Sequence, residues 1–393
     1  MDNKLPQNFC ILPWTGLEVQ PNGTVKPCCM YKDTLKKENG QEYLIQQDKF
    51  NDIWESEELS TIRKRFLSGT QPRGCHRCWM EELSGKASKR VRDNSKYKHL
   101  INDEIIWKES APRYLDLKLG NICNLKCRIC SPQYSSKWIA EQKKYDKIDG
   151  IAKDYDRLDW PEKSEVFWSN IETLIPVLEH LDFTGGEPFM IKEHLNLLHK
   201  IIKQGHAHKI SLHYNTNGTQ LPLDALDNIF PHFKYVDVHF SIDGIGKQFE
   251  YQRHPAKWDQ VLTNLQGWKA YESHKLDLTI CHTVNIFNAF YLPEFVEWTE
   301  KFGMKIYLNT LHEPKHYSIT TLPHFLKEVV KDRLLDYNYK GFNQVIQFME
   351  NSDNSKKIDE FKKHIYRMDL VRVESFDKIF PELSELMNII KIR

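Results

Sequence analysis

Tyr114-Leu-Asp-Leu-Lys-Leu-Gly-Asn-Ile-Cys123-Asn-Leu-Lys-Cys127-Arg-Ile-Cys130 begins as a strand-like segment, Tyr114 to Leu119, and runs directly into three closely spaced cysteines. Three thiolates cannot close a four-coordinate site. A structural zinc or a fully ligated iron–sulfur cluster takes four protein ligands, so a C-x3-C-x2-C triad leaves one iron of a [4Fe-4S] cube free to bind something else. The chain around it is 393 residues long, the size of an enzyme.

Downstream segments extend the pattern. His180-Leu-Asp-Phe-Thr184 reads as a short strand leading into Gly185-Gly186-Glu187-Pro188. The strand Lys209 to Tyr214 ends in Asn215-Thr-Asn217-Gly218, and Tyr235 to Phe240 ends in Ser241-Ile-Asp243-Gly244, with Arg253 soon after. Residues without Cβ let main-chain polar groups approach a ligand closely, and a planar two-pronged guanidinium suits a carboxylate. The triad and the GGEP run resemble the signatures of the radical S-adenosylmethionine (SAM) superfamily. The resemblance implies that Cys123, Cys127 and Cys130 hold a [4Fe-4S] cluster whose open iron chelates SAM. It gives the SAM amino group to Gly185, Gly186, Glu187 and Pro188, its ribose and carboxylate to Asn215, Asn217, Ser241 and Asp243, and a further carboxylate contact to Arg253. The chain departs from many relatives at Ile129, where an aromatic residue near the adenine is common.

From residue 113 onward, strands near 114–119, 179–184, 209–216, 235–242, 276–285 and 305–311 alternate with amphipathic segments. Such units imply an α/β fold with a parallel sheet and right-handed crossovers. Six of them match the partial (β/α)6 TIM-type barrel of radical SAM proteins. Val236, Val238, Phe240 and Ile242 alternate with Asp237, His239, Ser241 and Asp243; Ile210, Leu212 and Tyr214 alternate with Ser211, His213 and Asn215. Leu278, Ile280 and Val284 follow the same rule against Thr279, Cys281 and Thr283. One face then packs on helices and the other lines a polar lumen suited to a polar substrate. The tail from Thr321 is helical by pattern, with stripes Phe325, Val329, Val330, Leu334 and Phe361, Ile365, Met368. It reads as a cover for the open side of the barrel, or as a source of substrate contacts from Tyr366, Asp369 or Arg372.

The N-terminal region carries a second constellation: Cys10, Gly23 and Cys28 at a C-x(9–15)-G-x4-C spacing, then Cys75-His-Arg-Cys78. Pro21-Asn-Gly23 reads as a tight turn with a left-handed glycine. Ser56 caps a helix, Glu57 to Leu67, with Leu59, Ile62 and Phe66 on one side. The cysteine spacing resembles SPASM and twitch domains, which bind auxiliary [4Fe-4S] clusters, although those usually follow the barrel. Four thiolates in two pairs also describe a zinc ribbon. Cys29 competes with Cys28 as the ligand, because successive residues of an extended chain point opposite ways. The expected organisation is 1–85 auxiliary cluster domain, 86–112 linker, 113–320 radical SAM barrel and 321–393 helical extension.

Lys and Arg total 55 against 54 Asp and Glu, so net charge gives no general reason to expect nucleic acid binding. No apolar run spans a bilayer, no signal peptide is recognisable, and nine cysteines without that signal point to metal binding in the cytoplasm. Lys86, Lys89, Arg90, Arg92, Lys96 and Lys98 read as a solvated linker helix or as a docking strip for an acidic or phosphorylated substrate. Cys281 reads as a small core residue. The resemblance implies two [4Fe-4S] clusters, SAM and a one-electron donor of flavodoxin or ferredoxin type. Cleavage of SAM would give a 5′-deoxyadenosyl radical that abstracts a substrate hydrogen. A peptide or protein side chain is the first expectation for the substrate, and a sugar or nucleotide-linked small molecule the second. A non-catalytic iron–sulfur or zinc scaffold is the reading from another class.

Overall fold

Apolar and polar residues alternate through β1 (Gly16–Val19), β2 (Val25–Lys26), β3 (Tyr114–Lys118), β4 (His180–Thr184), β5 (Ser211–Thr216), β6 (Tyr235–Ser241), β7 (Leu276–Val284) and β8 (Lys305–Thr310). The computed structural model describes residues 5–83, 87–101 and 111–388. These strands make one mostly parallel sheet in the order β2-β1-β3-β4-β5-β6-β7-β8, with helices between most of them. All six strands expected after residue 113 form, and the fold is α/β.

The chain divides into two compact units, the first made of Met1–Asn124, Pro132–Asn215 and Pro222–Asp237. Here β1 turns back into antiparallel β2 through Gly23, whose φ of +87° is costly for any residue with a Cβ, while Gln20 N donates to Thr24 O at 2.8 Å. The expected hairpin therefore forms. β1 also pairs in parallel with β3, so the N-terminal cysteine segment supplies a strand to the same sheet. The register aligns Leu17, Leu115, Leu181 and Leu212 on one face, all buried. One residue along, Glu18, Asp116, Asp182 and His213 align on the other face.

Ser56 Oγ accepts from Leu59 N at 3.4 Å and starts the helix Glu57–Leu67, whose Leu59, Ile62 and Phe66 are buried. The basic run differs from expectation. Lys86 lies outside the described residues, and the helix Lys89–Lys96 is not simply solvated. Arg90 is buried, donates to Phe9 O at 2.8 Å and to Glu82 at 2.6 Å, and lies over the Trp79 ring. Partners distant in sequence draw this arginine inward.

The second unit is made of Leu125–Ser131, Thr216–Leu221 and Val238–Arg393. β7 and β8 pair in parallel, and the helix Phe342–Glu350 packs on β8. Phe361, Ile365 and Met368 are buried on the helix Ile358–Arg372, as expected. On the helix His324–Tyr337 the buried stripe is Leu326, Val330 and Leu334, while Phe325 is 54% exposed. The i, i+4 row one position away from Phe325 and Val329 faces the core, which corrects the expected phase.

Candidate functional site

In the first unit, Gly120 at φ +78° turns the chain out of β3, and buried Asn121 fixes the loop beyond it. Its Nδ2 donates to Pro132 O at 2.9 Å and Asp156 O at 3.0 Å, and its Oδ1 accepts from Leu158 N at 2.8 Å. Cys123 comes next, buried. Glu187 N donates to Ile122 O at 2.8 Å, and a Cβ on Gly186 (φ +57°) would lie 2.4 Å from that carbonyl. A Cβ on Gly185 would lie 2.8 Å from Lys118 Cβ. The glycines are thus required for packing, Gly186 against the cysteine loop and Gly185 against the end of β3, a reason beyond the ligand approach expected from sequence. Glu187 and Pro188 are buried, and the Glu187 carboxylate accepts from Phe189 N at 3.5 Å.

In the second unit, Cys130 N donates to Cys127 O at 3.0 Å, closing a tight turn around Arg128. Arg253 Nη1 lies 4.0 Å from Cys127 Sγ; burial pushes this thiol up and Arg253 pulls it back toward the thiolate. Arg253 is itself paired with Asp243, whose other oxygen accepts from Thr283 N at 2.8 Å. Asn217 Oδ1 accepts from Thr219 N at 2.9 Å and Thr219 Oγ1 at 2.6 Å, stabilising the turn that contains Gly218. Ser241 is half-buried at the end of β6. Cys281 stands beside the Asp243–Arg253 pair, its thiol pushed up to about 12 by burial and by Asp243. In the first unit, the Asn215 amide lies 3.1 Å from His213 Nε2.

The N-terminal cysteines separate by neighbourhood. Burial raises the Cys10 thiol, and Cys75 and Cys78 raise it further; burial, Cys29, Cys10 and Cys75 raise Cys28; burial and Cys78 push Cys75 up to about 12. A cation bound among these thiols would invert the effect. Cys29 instead feels Lys89, Asp116, Glu18 and Lys118, and is exposed. Cys28 thus feels Cys10 and Cys75 as well as its neighbour Cys29, while the charges acting on Cys29 are those of the β1–β3 polar row and Lys89. All nine cysteines are free thiols.

The polar face of the sheet carries, besides the expected His213 and Asp237, groups not singled out from sequence. Lys118 Nζ bonds to Glu18 and lies 3.3 Å from Asp116 Oδ1; Asp116 is pushed up to about 6 by burial, against the pull of Lys118. Tyr114 donates to Asp182 at 2.6 Å, His180 Nε2 lies 2.5 Å from the other oxygen of Asp182, and His213 Nδ1 lies 2.9 Å from Asp237. Burial would lift Asp182, but His180 and His213 hold it well below the usual carboxylate range. Glu18 Oε2 is buried without a hydrogen-bond partner among the described residues. Lys118 also borders Gly185, so this ionic row adjoins the GGEP turn. Asp116 and Lys118 alternate with leucines in β3, and that alternation is the signal the sequence offers for them.

Among the described residues His316, Glu360 and His364 also converge, but the two imidazoles stack at 4.3 Å and 17°, so their planes do not meet on one ion. No described helix is long and apolar enough to cross a membrane.

The N-terminal thiols Cys10, Cys28, Cys75 and Cys78 and the three-cysteine loop after β3 are all free of disulfides and so available to ligate iron–sulfur clusters. In the first unit a glycine turn abuts Ile122, just before Cys123, and in the second unit a buried arginine lies 4.0 Å from Cys127 Sγ. The sheet, the three-cysteine loop after β3 and the N-terminal cysteines together define an α/β protein with two sets of thiols available for metal ligation. Residues 117–287 match the radical SAM superfamily, and residues 10–79 match SPASM, an iron–sulfur cluster-binding domain. Residues 117–287 are thus a radical SAM domain, and a SPASM domain at residues 10–79 precedes it in the chain. The chain's cofactors are SAM and [4Fe-4S] clusters. Similar solved structures include native anSMEcpe with bound AdoMet, at 20% identity and a TM-score of 0.41 over 57% of this chain and 60% of that one. Native anSMEcpe with bound AdoMet and Kp18Cys peptide is also similar, at 19% identity and 0.39 over 56% and 59%. The chain thus spans about 60% of the length of these structures. No curated protein matches it.

Proposed function

We propose that this chain is a radical SAM oxidoreductase acting on a peptide or protein side chain, with Cys123, Cys127 and Cys130 as ligands of the SAM-binding cluster. Cys10, Cys28, Cys75 and Cys78 are the ligands of the auxiliary cluster. When bound, the cluster and SAM supply a 5′-deoxyadenosyl radical that removes a substrate hydrogen. The protein's own residues position and exclude water: the GGEP turn abuts Ile122, Arg253 and Asp243 stand beside Cys127, and Asn215, Asn217 and Ser241 sit at the ends of β5 and β6. Domain limits of 1–85, 86–112, 113–320 and 321–393, a flavodoxin- or ferredoxin-type donor and a cytoplasmic setting belong to the same reading. The observation that carries it is the three-cysteine loop following β3, inside the radical SAM match. The ionic row Glu18, Asp116, Asp182 and His213 favours a second substrate class, a sugar or nucleotide-linked small molecule with many polar groups.

The test is anaerobic reconstitution with iron and sulfide, then dithionite and SAM, with 5′-deoxyadenosine measured in the wild type and in Cys127→Ala. Deoxyadenosine from the wild type alone is expected. Equal yields from both, or none from a fully loaded wild type that also fails to bind SAM, would leave the scaffold reading in its place.

A further inference from the structure

We propose that a lysine-rimmed cleft behind the cysteine loop, in the C-terminal unit, is the docking face for a small acidic one-electron donor protein. The inference rests on Cys127 and Cys130 holding the SAM-binding cluster. The cleft has a volume of about 910 Å³, and Tyr251, His254, Asp369, Arg372 and Glu374 lie on its wall. Every one of these touches the cysteine loop or its arginine. Lys126 N donates to His254 O at 2.8 Å, and Arg372 Nη2 donates to Lys126 O at 2.9 Å. Arg128, which lies between Cys127 and Cys130, has a fully buried side chain 3.4 Å from the Tyr251 ring centroid and bonded to Asp369 at 2.6 Å and Glu374 at 2.5 Å. One layer of side chains thus separates the cleft from the cysteine loop, and that is a short path for an electron.

Charge selects the partner. The acidic residues of the wall have internal partners: Asp369 and Glu374 on Arg128, Glu374 also on His254, Glu250 on Lys247 and Asp377 on Ser375. Lys257, Lys362 and Lys378 line the same cleft and form no ion pair among the described residues. Beside them Tyr366, Leu370 and Val373 are 46%, 63% and 92% exposed, and Val373 holds φ +56°, a strained conformation for a β-branched residue. Apolar side chains left in solvent within a basic rim are the anatomy of a transient interface with an acidic protein, whose charge steers the encounter.

The test uses the cluster-loaded protein with a reduced flavodoxin as the probe, following bleaching of the cluster's visible absorbance by stopped flow, with dithionite as a chemical control. Lys257→Glu/Lys362→Glu/Lys378→Glu should lower the second-order reduction rate by flavodoxin about tenfold or more and flatten its salt dependence. Leu370→Asp should weaken the same step at constant charge on the lysines. Both should leave reduction by dithionite unchanged. Wild-type flavodoxin rates in both variants would overturn the docking face. Failure of dithionite to reduce the wild-type cluster would instead overturn the cluster reading beneath it.

Discussion

Asp243 Oδ2 accepts two hydrogen bonds from Arg253, one from Nε at 2.9 Å and one from Nη2 at 2.6 Å, and both side chains are buried. Each of the two residues is expected to serve SAM, and they are held by one another. Removing one charge of a buried pair strands the other. Asp243→Asn should therefore cost about 3 kcal/mol in urea unfolding. Arg253→Lys keeps the charge but loses the fork, and should weaken SAM binding about tenfold in anaerobic equilibrium dialysis. Unchanged SAM affinity in Arg253→Lys would remove this arginine from the site.

Cys28 and Cys29 are adjacent, yet Cys10 and Cys75 act on the Cys28 thiol while Lys89, Asp116, Glu18 and Lys118 act on that of Cys29, which favours Cys28 as the ligand. Iron and sulfide analysis of reconstituted variants should show Cys28→Ala losing the iron of one cluster and Cys29→Ala losing none. The reverse pattern would exchange their roles.

Gly186→Ala places a Cβ 2.4 Å from the Ile122 carbonyl at a φ of +57°. Backbone cannot yield as a flexible side chain can. The substitution should destabilise the protein by about 2 kcal/mol or more and lower cluster retention, since Cys123 is the next residue after Ile122. Thermal unfolding of the loaded protein and its iron content check both effects.

His194 is wholly buried, with Nδ1 2.5 Å from Ile191 O, and burial lowers its pKa to about 4. An ordinary imidazole titrates near 6.5, so the unfolded chain takes up this proton first as pH falls. The stability involved is fully present above pH 6.5 and is lost progressively toward pH 4. Between pH 7 and pH 5 this residue alone should remove about 2 kcal/mol. His194→Gln keeps a hydrogen-bonding side chain without titrating, so its urea midpoint should fall less over that range. Parallel pH curves for the two proteins would rule this contribution out.

The features legible in the sequence are local ones. Cysteine spacing, the turn at Gly23, the Ser56 cap and the strand alternation each lie within a few residues, and the turn, the cap and the strands take their expected form. The ionic row cannot be assembled that way, because Glu18 meets Asp116 only through the parallel register of β1 and β3. Arg128 is, in sequence, one more residue between two cysteines; its carboxylate partners, Asp369 and Glu374, lie 241 and 246 positions away. The phase of the helix His324–Tyr337 misleads because Phe325 is large and apolar, whereas the helix buries the neighbouring row.

The parallel pairing of β1 with β3 also orders events during synthesis. Gly16 finds its partner only when Tyr114 has left the ribosome, so the first strand waits through the making of the whole intervening segment. Cys10 and Cys28 flank that waiting strand, and their final spacing is fixed late. The N-terminal hairpin, first in sequence, therefore docks only alongside the opening strand of the radical SAM domain, which ties the arrangement of Cys10 and Cys28 to the folding of the sheet.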